Sequence, residues 1–295
     1  MWEQLKNGMI SGDIKSLSRG ISLIENEALG FEKFLESLLI PHTPVIGITG
    51  PPGAGKSTLT DALLVFLTAQ QKKTAVLCVD PSSPFNMGAL LGDRIRMNQW
   101  YNNPNVFIRS LATKGSLGGL HPKIIEITDL LKVALFDYII IETVGVGQSE
   151  IEIAGLADIT IVVLVPESGD EIQSMKAGLM EIADIFVVNK SDRPDADLFT
   201  KNLDIMLSPA FRNREGKPDI IKTVASEGIG IEQLFQAISN KITDVKSADN
   251  KYRFLAEKAY QLIRNKKMKN ISKQKLFEEI KKQDILNVYT FAAAY

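Results

Sequence analysis

The chain has 295 residues, 45% of them hydrophobic, with 34 Lys and Arg against 35 Asp and Glu, a formal net charge of −1 and a pI near 6.2. That balance excludes a polyanion-binding surface spread over the whole molecule, so neither nucleic acid nor a membrane is an expected partner, and it leaves ample apolar material for one large domain with additions. A single cysteine, Cys78, excludes an internal disulfide; within Ala75-Val76-Leu77-Cys78-Val79 it reads as a small buried strand residue.

The amino terminus, Met1-Trp2-Glu3-Gln4-Leu5-Lys6-Asn7, puts acidic and amide residues where a secretory leader needs a basic start and an apolar stretch, so a cytoplasmic setting is expected. Residues 2–40 carry apolar side chains at helical spacing, with Leu17, Ile21 and Ile24 on one face and Phe31, Phe34, Leu35 and Leu38 on another. They read as a helical extension over 1–42, closed by Pro41 and Pro44. From Val45 onward strand-like and helix-like stretches alternate, which predicts βαβ units. Strands are expected near 45–49, 74–79, 105–109, 137–142, 159–165, 184–188 and 219–224, and helices over 56–70, 92–101, 120–134, 149–156, 170–183, 196–207 and 230–243. The fold class is therefore α/β, a mostly parallel central sheet with helices on both faces, spanning 43–246. The most apolar windows, 138–141 and 159–165, are too short to span a bilayer and suit buried parallel strands. After a polar stretch at 246–250, residues 247–295 read as a helical arm in which Lys266, Lys267 and Lys269 form a solvated linker.

The first predicted strand runs into Gly50-Pro51-Pro52-Gly53-Ala54-Gly55-Lys56-Ser57-Thr58, a complete Walker A pattern between a strand and a helix. Glycines at Gly50, Gly53 and Gly55 let the backbone wrap a polyphosphate and turn N–H groups toward it. Lys56 suits neutralisation of the β- and γ-phosphates, Ser57 offers its hydroxyl to Mg²⁺, and the helix N-terminus adds positive potential. The pattern calls for a nucleoside triphosphate.

The second predicted strand ends at Asp80, before Pro81-Ser82-Ser83-Pro84, where a carboxylate is placed either to hold Mg²⁺ or to cap the following turn. The next loop reaches Gly92-Asp93-Arg94-Ile95-Arg96; Asp93 either approaches the reacting phosphate or caps a helix. The fourth strand ends in Glu142-Thr143-Val144-Gly145-Val146-Gly147-Gln148. An acid followed three positions later by glycine is the arrangement that orients Mg²⁺ and meets the γ-phosphate, here with Glu where most GTPases have Asp. Gln148 either orients the attacking water or is an ordinary loop residue. Gly169-Asp170-Glu171, followed by Lys176, reads first as a helix start with charge complementary to its dipole.

Base selection falls to Asn189-Lys190-Ser191-Asp192, after the apolar run 185–188. The Asp192 carboxylate, taken as a buried acceptor, matches the N1–H and exocyclic amine of guanine, which adenine lacks. Asn189 either bonds the purine edge or ties this loop to the P-loop, and the Lys190 stem suits the ring face. One strand later, Val224-Ala225-Ser226 stands where guanine sites often place Ser-Ala, with the Ala225 N–H directed to guanine O6.

Together with Asp-Pro-Ser-Ser-Pro-Phe at 80–85, Leu-Gly-Asp-Arg-Ile-Arg-Met at 91–97 and Gly-Asp-Glu-Ile-Gln-Ser-Met-Lys-Ala-Gly at 169–178, these motifs resemble the accessory GTPases of methylmalonyl-CoA mutase, the MeaB/MMAA type, formerly called ArgK transport kinases. The resemblance covers roughly residues 40–245. It implies a GTP- and Mg²⁺-dependent chaperone of a B12-dependent acyl-CoA mutase that gates adenosylcobalamin loading and removes damaged cofactor. It also implies a homodimer formed with the carboxy-terminal arm, and a cobalamin adenosyltransferase as a further partner. No side chain stands out as an arginine finger, with Arg94 and Arg96 the candidates, so intrinsic hydrolysis is expected to be slow and stimulated by a partner. By the same resemblance residues 80–97 look like a first switch in which Asp93 assists hydrolysis, the stretch after Glu142 like a second, and 169–176 like a third whose functional residue is Lys176. The chain departs from the family pattern at Asn86-Met87, at Val224 and in the shortness of its arm. The alternatives are a nickel-inserting accessory GTPase, disfavoured by one cysteine and two histidines without paired spacing, a kinase acting on a transport protein, and a nucleotide-binding interaction module with negligible hydrolysis, distinguished by phosphate release.

Overall fold

The computed structural model describes residues 1–80, 98–113, 120–143, 152–168, 177–210, 217–244, 248–268, 271–283 and 287–293. Strands β1 (Val45–Thr49), β2 (Thr74–Asp80), β3 (Val106–Ala112), β4 (Tyr138–Glu142), β5 (Ile159–Leu164), β6 (Ile185–Val188) and β7 (Asp219–Lys222) form one sheet in the order β3-β2-β4-β1-β5-β6-β7. Every neighbouring pair is parallel, as the alternation of elements predicts. The helices are α1 (Trp2–Ile10), α2 (Ile14–Glu25), α3 (Phe31–Glu36), α4 (Lys56–Ala69), α5 (Ile124–Val133), α6 (Ala177–Ile182), α7 (Ala196–Ala210), α8 (Ile231–Asp244), α9 (Ala248–Met268), α10 (Lys273–Gln283) and α11 (Val288–Ala292).

The central strands are apolar on both faces, which is what a sheet covered by helices on both sides requires. Alternation along β5 and β6 divides their side chains. Ile161, Val163, Ile185 and Val187 pack with Leu59, Leu63 and Leu67 of α4 and with Leu234 and Ile238 of α8. Val162, Leu164, Phe186 and Val188 turn the other way onto Phe199, Leu203 and Leu207 of α7. Cys78 is buried in the first of these cores.

Residues 92–97 and 149–151, the starts of two predicted helices, lie outside the described residues; the described ends hold the 3-10 turns Asn98–Trp100 and Ile153–Gly155. The first is fixed by long-range contacts: Gln99 Nε2 and Trp100 Nε1 donate to the same oxygen, Asp61 Oδ1 of α4, at 2.7 and 2.6 Å. Strand β3 runs to Ala112, three residues past its predicted end, because it pairs with β2 along its whole length. Strand β7 stops at Lys222, and Val224 instead exchanges backbone bonds with Ile229 at 3.1 and 3.2 Å.

Met1–Lys251 form one compact unit and Tyr252–Tyr295 a second. Within the first, Leu17, Ile21 and Ile24 are fully buried, and α2 packs on α1 and α5. The Glu25 carboxylate accepts from the Arg109 guanidinium and lies 3.9 Å from His121 Nε2. His121 is buried, its Nδ1 accepting the Lys123 N–H at 3.0 Å. Lys266 and Lys267 stand in the last turn of α9, where positive charge complements the helix dipole, and not in a linker; Lys269 lies outside the described residues. Among the described residues no helix is long and apolar enough to cross a membrane.

A titrating group under the sheet gives a stability prediction. Asp184, just before β6, accepts the Thr160 N–H at 2.7 Å. Burial raises its carboxyl pKa, partly offset by that bond and by Lys241. With the folded pKa above the unfolded one, its contribution to stability is complete at low pH and is lost as pH rises through the folded value. Asp184→Asn keeps an acceptor but does not titrate. The urea midpoint of the native protein should therefore fall relative to that of Asp184→Asn as pH rises above the ordinary carboxylate range, then run parallel to it. Midpoints that track each other at every pH from about 4 to 7 would contradict this.

Candidate nucleotide-binding site

The carboxyl ends of β1, β4, β6 and β7 gather the described site residues, at the edge where parallel α/β sheets bind ligands. Strand β1 lies between β4 and β5, so the loop it delivers has neighbours on both sides. At the start of that loop Gly50 has φ +139°, and a Cβ there would stand 2.2 Å from the Val163 carbonyl oxygen. At its end Gly55 has φ +90°, and a Cβ would stand 2.3 Å from Asn189 Nδ2. Between them Ala54 is fully buried and Gly53 has φ +78°. Pro51 and Pro52 lead through this turn, and Thr58 lies in the first turn of α4.

Lys56 is 7% exposed and curls back over the loop, its Nζ donating to the carbonyls of Gly50 at 2.9 Å and Pro51 at 3.1 Å. Its ammonium is thus held over the concave side of the loop, where positive charge serves a polyphosphate. One residue on, Ser57 Oγ donates to Glu142 Oε1 at 2.5 Å. The second oxygen of that buried carboxylate accepts from Thr60 Oγ1 at 3.0 Å. The roots of the two loops are joined as well: Thr143 Oγ1 donates to Thr49 Oγ1 at 2.8 Å, and the Thr143 N–H to the Ile48 carbonyl at 3.0 Å.

The donor set at Ser57 and Glu142 fits a small hard cation. Both offer oxygen, and Mg²⁺ takes few protein ligands because it keeps much of its hydration and binds substrate phosphates. Cys78 of β2 pairs with Glu142, so the backbone of Asp80 continues two residues beyond Glu142 along the same edge. Among the described residues no cluster of three or more His, Cys, Asp and Glu forms a metal cage.

At the end of β6, Asn189 ties its loop to the P-loop. This 2%-exposed side chain donates from Nδ2 to the Ala54 carbonyl at 2.9 Å. Its Oδ1 accepts from Thr223 Oγ1 at 3.0 Å and from the Ala225 N–H at 3.1 Å. One amide thereby joins the loops after β1, β6 and β7, and it engages the backbone donor that the sequence directs to guanine O6. Lys190, at φ +56°, lays its stem toward the same loop and donates from Nζ to the Gly53 carbonyl at 2.8 Å. Asp192 is exposed at the rim and not buried, because the chain turns there from the strand end toward α7. Val224 is buried and Ser226 exposed.

Arg193 pairs with Glu167, in the 3-10 turn Pro166–Ser168, and the guanidinium bond holds that carboxyl below the usual carboxylate range. Asp93, Gly145, Gln148 and Lys176, like Arg94 and Arg96, lie outside the described residues. Sequence reasoning missed Thr60 and the Thr49–Thr143 bond. Thr60 carried one usable signal, its position one helical turn after Lys56 and so on the same face.

Residues 17–282 match the family described as Methylmalonyl Co-A mutase-associated GTPase MeaB. A protein of Pyrococcus horikoshii, named as a candidate GTPase, is 44% identical over 241 residues, spanning 80% of this chain and 76% of its own. The GTPase ArgK of Escherichia coli is 35% identical over 240 residues, 77% of this chain and 72% of its own. The mitochondrial methylmalonic aciduria type A homolog of Mus musculus is 34% identical over 256 residues, 80% of this chain and 62% of its own. In fold, the chain is similar to a crystal structure of LAO/AO transport system kinase, with a TM-score of 0.74 and 24% identity over 99% of this chain and 95% of that one. HypB from Helicobacter pylori, crystallised with nickel, gives 0.51 and 17% over 79% and 98%. Both structural matches speak to fold alone.

Proposed function

Because the chain belongs to the family of methylmalonyl-CoA mutase-associated GTPases, we propose that it binds and hydrolyses GTP and acts as a chaperone of a B12-dependent acyl-CoA mutase. In this role it gates adenosylcobalamin loading and restores mutase that carries damaged cofactor. The observation that carries the nucleotide part is the Asn189 amide, which fastens a base-selecting loop to a phosphate-cradling loop. A site spanning both ends of a guanine nucleotide needs that spacing fixed.

Lys56 and the backbone N–H groups of residues 53–58 receive the phosphates, Asp192 accepts from the guanine donors, and the Lys190 stem covers the ring. Ser57 and Glu142, with Asp80 beside them, hold Mg²⁺. When bound, that ion withdraws charge from the phosphate oxygens as the γ-phosphoryl leaves. Gly145 meets the terminal phosphate, and Asp93 and Gln148 orient water for in-line attack. Lys176 relays the presence of the mutase. Intrinsic turnover is slow and is accelerated by the partner, with Arg94 and Arg96 the candidates for any arginine acting on the reacting phosphate from within the chain. The arm over 247–295 makes the homodimer, a cobalamin adenosyltransferase supplies cofactor to the same assembly, and the protein works in the cytoplasm.

The test is GTP hydrolysis by the purified protein with and without a B12-dependent acyl-CoA mutase from the same organism, with ATP as control. Stimulation by the mutase that disappears in Lys176→Ala, while GTP still binds, is the expected result. A rate indifferent to the mutase removes the partner assignment and leaves the GTP site. Equal turnover of ATP removes the guanine assignment.

A further inference from the structure

Thr60 belongs to none of the motifs that mark the nucleotide site, yet it is fully buried and its hydroxyl lies 3.0 Å from Glu142 Oε2. The same carboxylate meets Ser57 Oγ through its other oxygen, Oε1, at 2.5 Å. A glutamate has three rotatable bonds, and a carboxylate held at one oxygen can still swing about that contact. Held at both, by two hydroxyls one turn apart on the same helix, its plane is fixed. The Thr60 hydroxyl has one proton and two acceptors within reach, Glu142 Oε2 and the Lys56 carbonyl, also at 3.0 Å. An ionised carboxylate attracts that proton more strongly than a carbonyl already serving the helix ladder.

We propose that Thr60 is a positioning residue of the cation site: through Oε2 it orients the Glu142 carboxylate so that Oε1 faces Ser57, and so sets how tightly Mg²⁺ is held with the nucleotide. The inference rests on the guanine-nucleotide reading above. Groups that orient a ligand from behind typically change metal affinity by about ten- to a hundredfold when removed. Thr60→Val keeps the shape and removes the hydroxyl, and Thr60→Ser keeps the hydroxyl with one methyl fewer.

The experiment measures GDP affinity by displacement of a fluorescent GDP analogue, first in EDTA and then across a Mg²⁺ titration. Thr60→Val should bind GDP in EDTA as the native protein does, and require about tenfold more Mg²⁺ for half of the gain in affinity. Thr60→Ser should restore the native midpoint. An unchanged midpoint in Thr60→Val overturns the proposal. So does an equal loss with and without Mg²⁺, which would make Thr60 a part of the phosphate loop's shape. Should Thr60→Val not fold by its circular dichroism melt, Thr60→Ala carries the same expectations. Native protein that binds no GDP removes the underlying reading, and native protein that binds GDP but gains nothing from Mg²⁺ overturns the proposal alone.

Discussion

Replacing Asp192 with asparagine should turn a guanine site into a xanthine site. A carboxylate offers two acceptors, matched to the N1–H and the exocyclic amine of guanine. Asparagine offers one acceptor and one donor, so its amide nitrogen would face the guanine amine donor to donor. Xanthine has a carbonyl at that ring position, and its N1–H with C2=O complements the asparagine side chain. A hydrogen bond to a charged group contributes about 1.5–3 kcal/mol. Because Asp192 is exposed at the rim, the lower end applies. The bond to the exocyclic amine is lost and the one to N1–H keeps only a neutral acceptor, so the cost comes to about 2 kcal/mol, or roughly a thirtyfold loss of GDP affinity. XDP should bind the variant more tightly than GDP, and the native protein should show the reverse order. Competition of GDP, XDP and IDP against a fluorescent analogue reads all three affinities. If the variant still prefers GDP, Asp192 does not read the base.

Residues with one physically permitted role were legible in the sequence, and residues whose role depends on a distant partner were not. The apolar run Val45-Ile46-Gly47-Ile48 followed by spaced glycines could only be a buried strand feeding a tight loop, and β1 and α4 lie within a residue of their predicted bounds. Leu17, Ile21 and Ile24 announced a buried helix face by spacing alone. By contrast, a threonine inside a helix says nothing about a carboxylate 82 residues away, so the Thr60–Glu142 bond was hidden. Gln99 and Trp100 are bonded to Asp61, 38 and 39 positions away, a pull that leaves no local mark. Asn189 was in between. Its place in the motif was plain, but its choice between the base and the phosphate loop depended on which carbonyl stood within reach.

That choice makes Asn189→Ala the most damaging single change expected in the site. The native amide makes three bonds at 2.9–3.1 Å, to the Ala54 carbonyl, the Thr223 hydroxyl and the Ala225 N–H. Truncation leaves all three of those groups short of a partner where Thr223 and Ala54 are fully buried and Ala225 nearly so. Each such loss costs about 1–3 kcal/mol, although the Thr223 hydroxyl can turn to another acceptor. A total of about 3–5 kcal/mol is therefore expected, in the range reserved for broken buried networks. The loss should appear twice, as a lower urea midpoint and as weaker GDP binding, because the amide holds both the sheet edge and the spacing between the two loops. Asn189→Asp does not rescue it: the acceptor toward Thr223 and Ala225 survives, but a carboxylate oxygen then faces the Ala54 carbonyl with no proton between them. Combined with Thr223→Val, Asn189→Ala should cost less than the sum of the separate changes, since each removes the same bond. The decisive comparison is the midpoint shift produced by saturating GDP, which follows binding to the folded state alone. In the native protein the shift should be large and in Asn189→Ala small. Equal shifts would mean that the base loop and the phosphate loop keep their spacing without the amide, and that the three bonds serve the sheet edge only.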